Sequence, residues 1–120
     1  MDLPVVNHDI DRLKSFELVP FQAAIDAGAE AIMIAHILLP QIDSKKPSSL
    51  SSKVINNILR KDMEFEGVVI TDDLTMGAIT NNYSIAKASV EAVVAGCDII
   101  LVCHGHENQL EAIGALKKAV

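Results

Sequence analysis

The residues of this chain with the most chemical reach are two adjacent aspartates and a few histidines. Asp72 and Asp73 end the apolar run GVVITDD, His36 ends AIMIAH, and His104 ends CDIILVCH with His106 close behind. Two chemistries suit such a set. A carboxylate at a strand end can serve as nucleophile or base, the nucleophile forming a covalent intermediate. Alternatively, His36, Asp72, His104 and His106 are the N and O donors of a metal site. These residues come from separate segments and lack a local spacing such as HExxH, so spacing does not choose between the two. Each also has a plainer use. An Asp after a strand commonly caps a turn or helix, and His36 and His104 could simply pack at a strand end. His106, in HGH, reads as exposed loop and His8 as surface.

The elements that must position these residues follow from the apolar pattern. Ile10, Leu13, Phe16, Phe21, Ala24 and Ile25 mark an amphipathic helix from about Asp9 to Ala27, with Asn7 as N-cap and Gly28 as stop. Pro20 should kink or split it. AIMIAHILLP is continuously apolar and reads as a strand buried on both faces. Val54, Ile55, Ile58 and Leu59 form a second helix closing near Phe65, GVVITDD is a second strand, and a third helix runs from about Ser84 to Gly96. CDIILVCHG is a third strand, and ENQLEAIGALKKAV a fourth helix. The order αβαβαβα, without a hairpin signal, means an α/β fold with a parallel sheet and crossover helices. AGAEAIMIAH and AGCDIILVCH align as an internal repeat two β/α units apart.

Side chains at i and i+2 share a strand face. Counting back from His36, Asp72 and His104 gives Ile34 and Ile32, Ile70 and Val68, and Val102 and Ile100. All six are β-branched, the type that fills barrel interiors. The pattern therefore predicts His36, Asp72 and His104 on the interior face at the C-terminal rim, where such barrels place their chemistry. Asp73 has the opposite parity and suits a capping role. A retaining glycosidase uses a rim carboxylate of this kind to form its glycosyl intermediate.

Composition narrows the classes. Half of the 120 residues are hydrophobic, which argues against disorder. A net charge of −6 without a basic stripe argues against nucleic-acid binding. No apolar run approaches the ~20 residues of a membrane span, and MDLPVVNHDI does not resemble a signal peptide, so a cytoplasmic location is expected. Cys97 and Cys103 on one strand would lie about 20 Å apart, too far for a disulfide. They read as buried thiols in a reducing compartment.

Four stretches carry a family resemblance: DLPVVNHDIDRLKSFELVPFQAAIDAGAEAIMIAH with ILLPQID, PSSLSSKVINNILRKDM, EFEGVVITDDLTMGAI, and AGCDIILV. Together they resemble glycoside hydrolase family 3, and within it the bacterial β-N-acetylglucosaminidase branch. The resemblance implies a (β/α)8 barrel and a retaining exo-hydrolase that removes terminal β-linked N-acetylglucosamine from cell-wall or chitin-type glycans, without a cofactor or metal. It makes Asp72 the nucleophile and His36 a substrate-pocket residue. Residues 1–120 would then be one unit, the C-terminal half of the barrel domain, with three of its strands. The branch's acid/base His–Asp loop lies before the DLP segment, outside these residues, so the isolated chain is expected to be inactive. Three strands cannot close a barrel. Self-association, or pairing with the other barrel half, is expected to cover the open edges. A non-catalytic self-associating β/α module and a metal-dependent hydrolase rim are the alternatives.

Overall fold

The structure, a computed structural model, describes residues 3–120. Three strands, β1 (Ala31–Ile34), β2 (Val68–Asp73) and β3 (Ile99–Leu101), form one parallel sheet in the order β1-β2-β3. Helices α1 (Ile10–Arg12) and α2 (Val19–Asp26) precede β1, and a π helix, Lys53–Asp62, crosses from β1 to β2. Helices α3 (Gly77–Thr80) and α4 (Ile85–Ala95) lie between β2 and β3, and α5 (His106–Ala119) follows β3. The alternation of strand and helix is the one the apolar pattern predicts. Among the described residues no helix is long and apolar enough to cross a membrane.

Local chemistry explains where these elements start and stop. The first helix is capped by Asp9, whose carboxylate accepts the Arg12 N–H at 2.8 Å, and not by Asn7 as the sequence suggested. Pro20 does split the helical segment. A π turn, Leu13–Glu17, ends where the Leu18 N–H reaches Leu13 O, and Pro20 then sits in the first turn of α2, where no N–H is needed. Ser84 caps α4 through the Lys87 N–H at 3.2 Å. Gly96 closes α4 with φ +116°, a left-handed conformation suited to glycine.

The strands are shorter than the apolar runs. AIMIAHILLP keeps only four residues in the sheet because the Ile37 N–H turns back to Ala35 O at 3.0 Å. That three-residue turn centres on His36 and ends the strand. Leu38 then pairs with Val5 in a separate parallel bridge.

Strand register corrects the expected faces. Cα partners in a parallel pair point the same way, and Ile32 and Ile34 pair with Val69 and Thr71. Ile34, Val69 and Thr71 are buried, packed with Leu50, Ile55 and Leu59 in the core under the helices. Ile100 and Val102 likewise face α5, beside Ala112 and Leu116. The open face instead carries Met33, Val68 and Ile99, which are 54%, 38% and 46% exposed. Only β2 has the predicted sense, with Val68, Ile70 and Asp72 on the open face. β-Branched residues occupy both faces of this sheet, so branching alone could not choose between them. The cysteine expectation is corrected too. Cys97 is buried, its thiol pushed up to about 11 by burial and then by Asp98, but Cys103 is exposed; both are free thiols.

A Cβ at position 96 would lie 2.6 Å from Asn56 Oδ1 and 2.9 Å from Ile55 Cγ2. Gly96→Ala therefore combines strain with a clash against the π helix and should lower stability by about 1–3 kcal/mol. A urea unfolding midpoint equal to that of the unmodified protein would contradict this account of the α4 stop.

Candidate active site

The site forms where the sheet's regular pairing runs out. On the β3 side, Ile70 pairs with Ile99 and Asp73 with Leu101, so β2 takes three steps while β3 takes two. The extra residue makes a bulge at Thr71–Asp72, a common device for re-aiming a side chain. A bulge leaves backbone groups without ladder partners. Here the Leu101 N–H turns to the buried Thr71 hydroxyl at 3.0 Å, and Leu101 O accepts the Leu74 N–H at 2.9 Å.

The two aspartates then divide. Asp73 is 9% exposed, and its carboxylate is consumed by the fold. Oδ1 accepts the Cys103 N–H and the Thr75 N–H, each at 3.0 Å, and Oδ2 accepts the Thr75 hydroxyl at 2.6 Å. Burial pushes this carboxyl up, but the Cys103 and Thr75 donors and the nearby His104 outweigh burial and hold it below its ordinary range. Asp73 thus has the capping role its parity suggests, and it also ties the end of β3 to β2. Asp72, on the open face, is half-buried. Its Oδ1 accepts the Asp73 N–H at 2.8 Å, and its Oδ2 takes no hydrogen bond among the described residues.

The histidines fall into three environments. His36 is 3% exposed and lies beneath the end of β2. Its Nε2 is 2.9 Å from Asp73 O and its Nδ1 is 2.6 Å from Ser49 Oγ. His104 is exposed on the loop after β3, with Nε2 3.7 Å from Asp73 Oδ2. It lies at the rim, beyond the strand's pleat, rather than among inward Ile and Val side chains. His106, exposed, begins α5, and His8 meets Glu17 at 3.6 Å on the surface. Among the described residues no three His, Cys, Asp or Glu side chains converge as metal ligands. The set His36, Asp72, His104 and His106 is not assembled into such a site, because the His36 nitrogens point at Ser49 and Asp73. Thr71, Thr75 and Ser49 escaped the sequence reading. The only signal was a hydroxyl residue inside an otherwise apolar run, VVIT, and the serine-rich PSSLSS.

A parallel β/α sheet with a carboxylate at the C-terminal end of its middle strand, beside an uncovered face, has the form of a segment of a β/α barrel. The whole chain, residues 1–120, matches the Glycosyl hydrolase family 3 N terminal domain, and the chain belongs to glycoside hydrolase family 3. It is 40% identical over 104 residues to a Beta-hexosaminidase of Stenotrophomonas maltophilia, covering 87% of this chain and 31% of that protein. Over 95 residues it is 43% identical to a Beta-hexosaminidase of Xanthomonas campestris pv. campestris, covering 79% of this chain and 28% of that protein. The solved structure of a glycoside hydrolase family 3 beta-N-acetylglucosaminidase from Paenibacillus sp. str. FPU-7 superposes with a TM-score of 0.96 at 46% identity, covering 99% of this chain and 23% of that one. The chain thus spans about a third or less of the length of these relatives.

The depressed Asp73 carboxyl has a consequence for stability. Its folded value lies below the unfolded one of about 3.9, so it stabilises the fold above the unfolded value. That contribution is lost as the pH falls through the folded value. Asp73→Asn should therefore be destabilising near pH 6, with the gap to the unmodified protein narrowing below about pH 4. Urea titrations from pH 6 to pH 2.5 measure this, and a gap that widens in acid would refute it.

Proposed function

We propose that these residues form part of a retaining exo-glycosidase that hydrolyses terminal β-linked N-acetylglucosamine, with Asp72 as nucleophile. One observation carries the reading. Asp72 presents a carboxylate on the open face at a strand end, one oxygen held by a backbone N–H and the other unengaged. In the first step the unengaged oxygen attacks the anomeric carbon while the bond to the leaving oxygen breaks and a general acid protonates that oxygen. In the second step water, deprotonated by the same group, displaces Asp72 and restores the original configuration. The acid/base group is expected from the His–Asp loop that the family resemblance puts outside these residues. The names of the similar proteins, Beta-hexosaminidase and beta-N-acetylglucosaminidase, support the sugar assignment.

The test belongs in the full-length protein that contains this chain. Asp72→Gly should lower hydrolysis of a chromogenic β-N-acetylglucosaminide by roughly 10⁴-fold, the scale seen when one catalytic group is removed. Azide should then restore turnover and yield the α-glycosyl azide, because it attacks from the face the carboxylate has vacated. Wild-type turnover in Asp72→Gly would refute the assignment.

For the 120-residue chain alone we expect no measurable hydrolysis. Leaving-group protonation, a contribution of about 10²–10⁴-fold, depends on the His–Asp loop that the family resemblance puts outside these residues. The exposed Met33, Val68 and Ile99 support pairing of the open face with the other strands of a closed barrel. The chain by itself should therefore associate, as size-exclusion chromatography with light scattering would detect. A well-folded monomer at micromolar concentration would overturn that expectation.

A further inference from the structure

We propose that His36 is a positioning residue for the Asp72 carboxylate, acting through the Asp73 backbone rather than by touching the sugar. This rests on the reading of Asp72 as nucleophile.

The β1–β2 ladder ends at the pair Ile34 and Thr71. The ladder thus reaches as far as Asp72, and Asp73 has no β1 backbone to hold it on that side. His36 takes over the position. A carbonyl can only accept, so the 2.9 Å contact with Asp73 O requires Nε2 to carry the proton. In the neutral ring Nδ1 then accepts the Ser49 hydroxyl proton at 2.6 Å. Ser49 is itself immobilised, fully buried on the turn Ser48–Leu50, with its carbonyl facing the Cys97 thiol at 3.7 Å. The Ser48 N–H and hydroxyl reach Ile37 O, both at 2.8 Å, so the segment flanking His36 is tied to the same turn.

The link to the nucleophile is a single residue. Asp73 donates its N–H to Asp72 Oδ1, while its C=O accepts from His36 and, at 3.1 Å, from the Met76 N–H. His36 and Met76 therefore fix one end of Asp73, and the other end fixes the carboxylate. Release of His36 leaves the carbonyl with one partner and lets Asp73 tilt, so its N–H no longer holds Oδ1. A misplacement of about 1 Å at a reacting atom is enough to cost roughly 10²-fold in rate. With 3% of its surface exposed and both nitrogens engaged, the ring has nothing left to offer a sugar hydroxyl.

The experiment compares His36→Leu, His36→Gln and Ser49→Ala in the full-length protein, with Asp72→Gly and azide run in parallel. His36→Leu should lower kcat by about 10²-fold, with the inhibition constant of free N-acetylglucosamine unchanged. His36→Gln keeps an N–H donor at the Nε2 position and should recover most of that loss. Ser49→Ala should lower kcat about fivefold, the factor one ordinary hydrogen bond is worth. A rise of tenfold or more in the inhibition constant with kcat retained would make His36 a sugar contact and overturn the proposal. If His36→Leu does not fold, Ser49→Ala decides, and full kcat in that variant counts against the proposal. Should Asp72→Gly retain activity, the nucleophile assignment itself has failed. Normal azide rescue with an undiminished kcat in His36→Leu means that only the positioning role has failed.

Discussion

Everything at this site depends on how the last residues of β2 are held once the sheet stops holding them. Regular pairing supplies two neighbours to a central strand, and over the last residues of β2 it ends on one side and is shifted on the other. On one side β1 has turned away at His36, and on the other a bulge has shifted the register against β3. Side chains replace the missing ladder. The Thr71 hydroxyl takes the Leu101 N–H, the Asp73 carboxylate takes the Cys103 N–H, and His36 reaches the Asp73 carbonyl. All three groups are buried, where an unmade hydrogen bond is expensive, so each strongly prefers its one arrangement.

That arrangement gives adjacent residues of the same type opposite uses. Asp73 accepts three hydrogen bonds and is kept ionised by them. Asp72 keeps one oxygen unengaged and is oriented through the other. Strand alternation makes the separation possible, because neighbours in a strand face opposite ways. The helix-covered side provides a dry interior in which Asp73 can be fully satisfied, and the open side leaves Asp72 facing away from the core. A Thr–Asp–Asp run is thus a compact way to end a strand with one anchored and one available carboxylate.

The sequence was informative where apolar periodicity decides the outcome. The αβαβαβα order, the Ser84–Gly96 limits of α4, the split at Pro20 and the place of Asp72 at the open end of β2 all follow from it. It misled where two physical causes produce the same residue type. Ile and Val pack equally well under helices and inside a barrel, and Ile32, Ile34, Ile100 and Val102 lie under the helices although their type also suits a barrel interior. It said least about strand length. The apolar run AIMIAHILLP continues past the point where the turn at His36 leaves the sheet. A buried polar side chain, not a change in hydropathy, ends that strand.

This failure has a physical basis at the end of any parallel strand in such a fold. Toward their C-terminal ends the strands give way to loops, ladder hydrogen bonds run out, and the exposed backbone groups must find partners of another kind. The polar side chains that serve come from distant segments, as Ser49, Asp73 and Thr75 do here, and their spacing carries no period. The loss of regular pairing also leaves room beside the strand end and re-aims a side chain. The residues least readable from pattern are therefore those that border the chemistry. Of the strand-end histidines, His36 lies buried beneath β2 while His104 stays exposed on its loop. Both end similar AG-acid-apolar-His segments. Their different environments follow from the neighbours at each position: Ser49 and a carbonyl beneath β2 for one, an edge strand and solvent for the other.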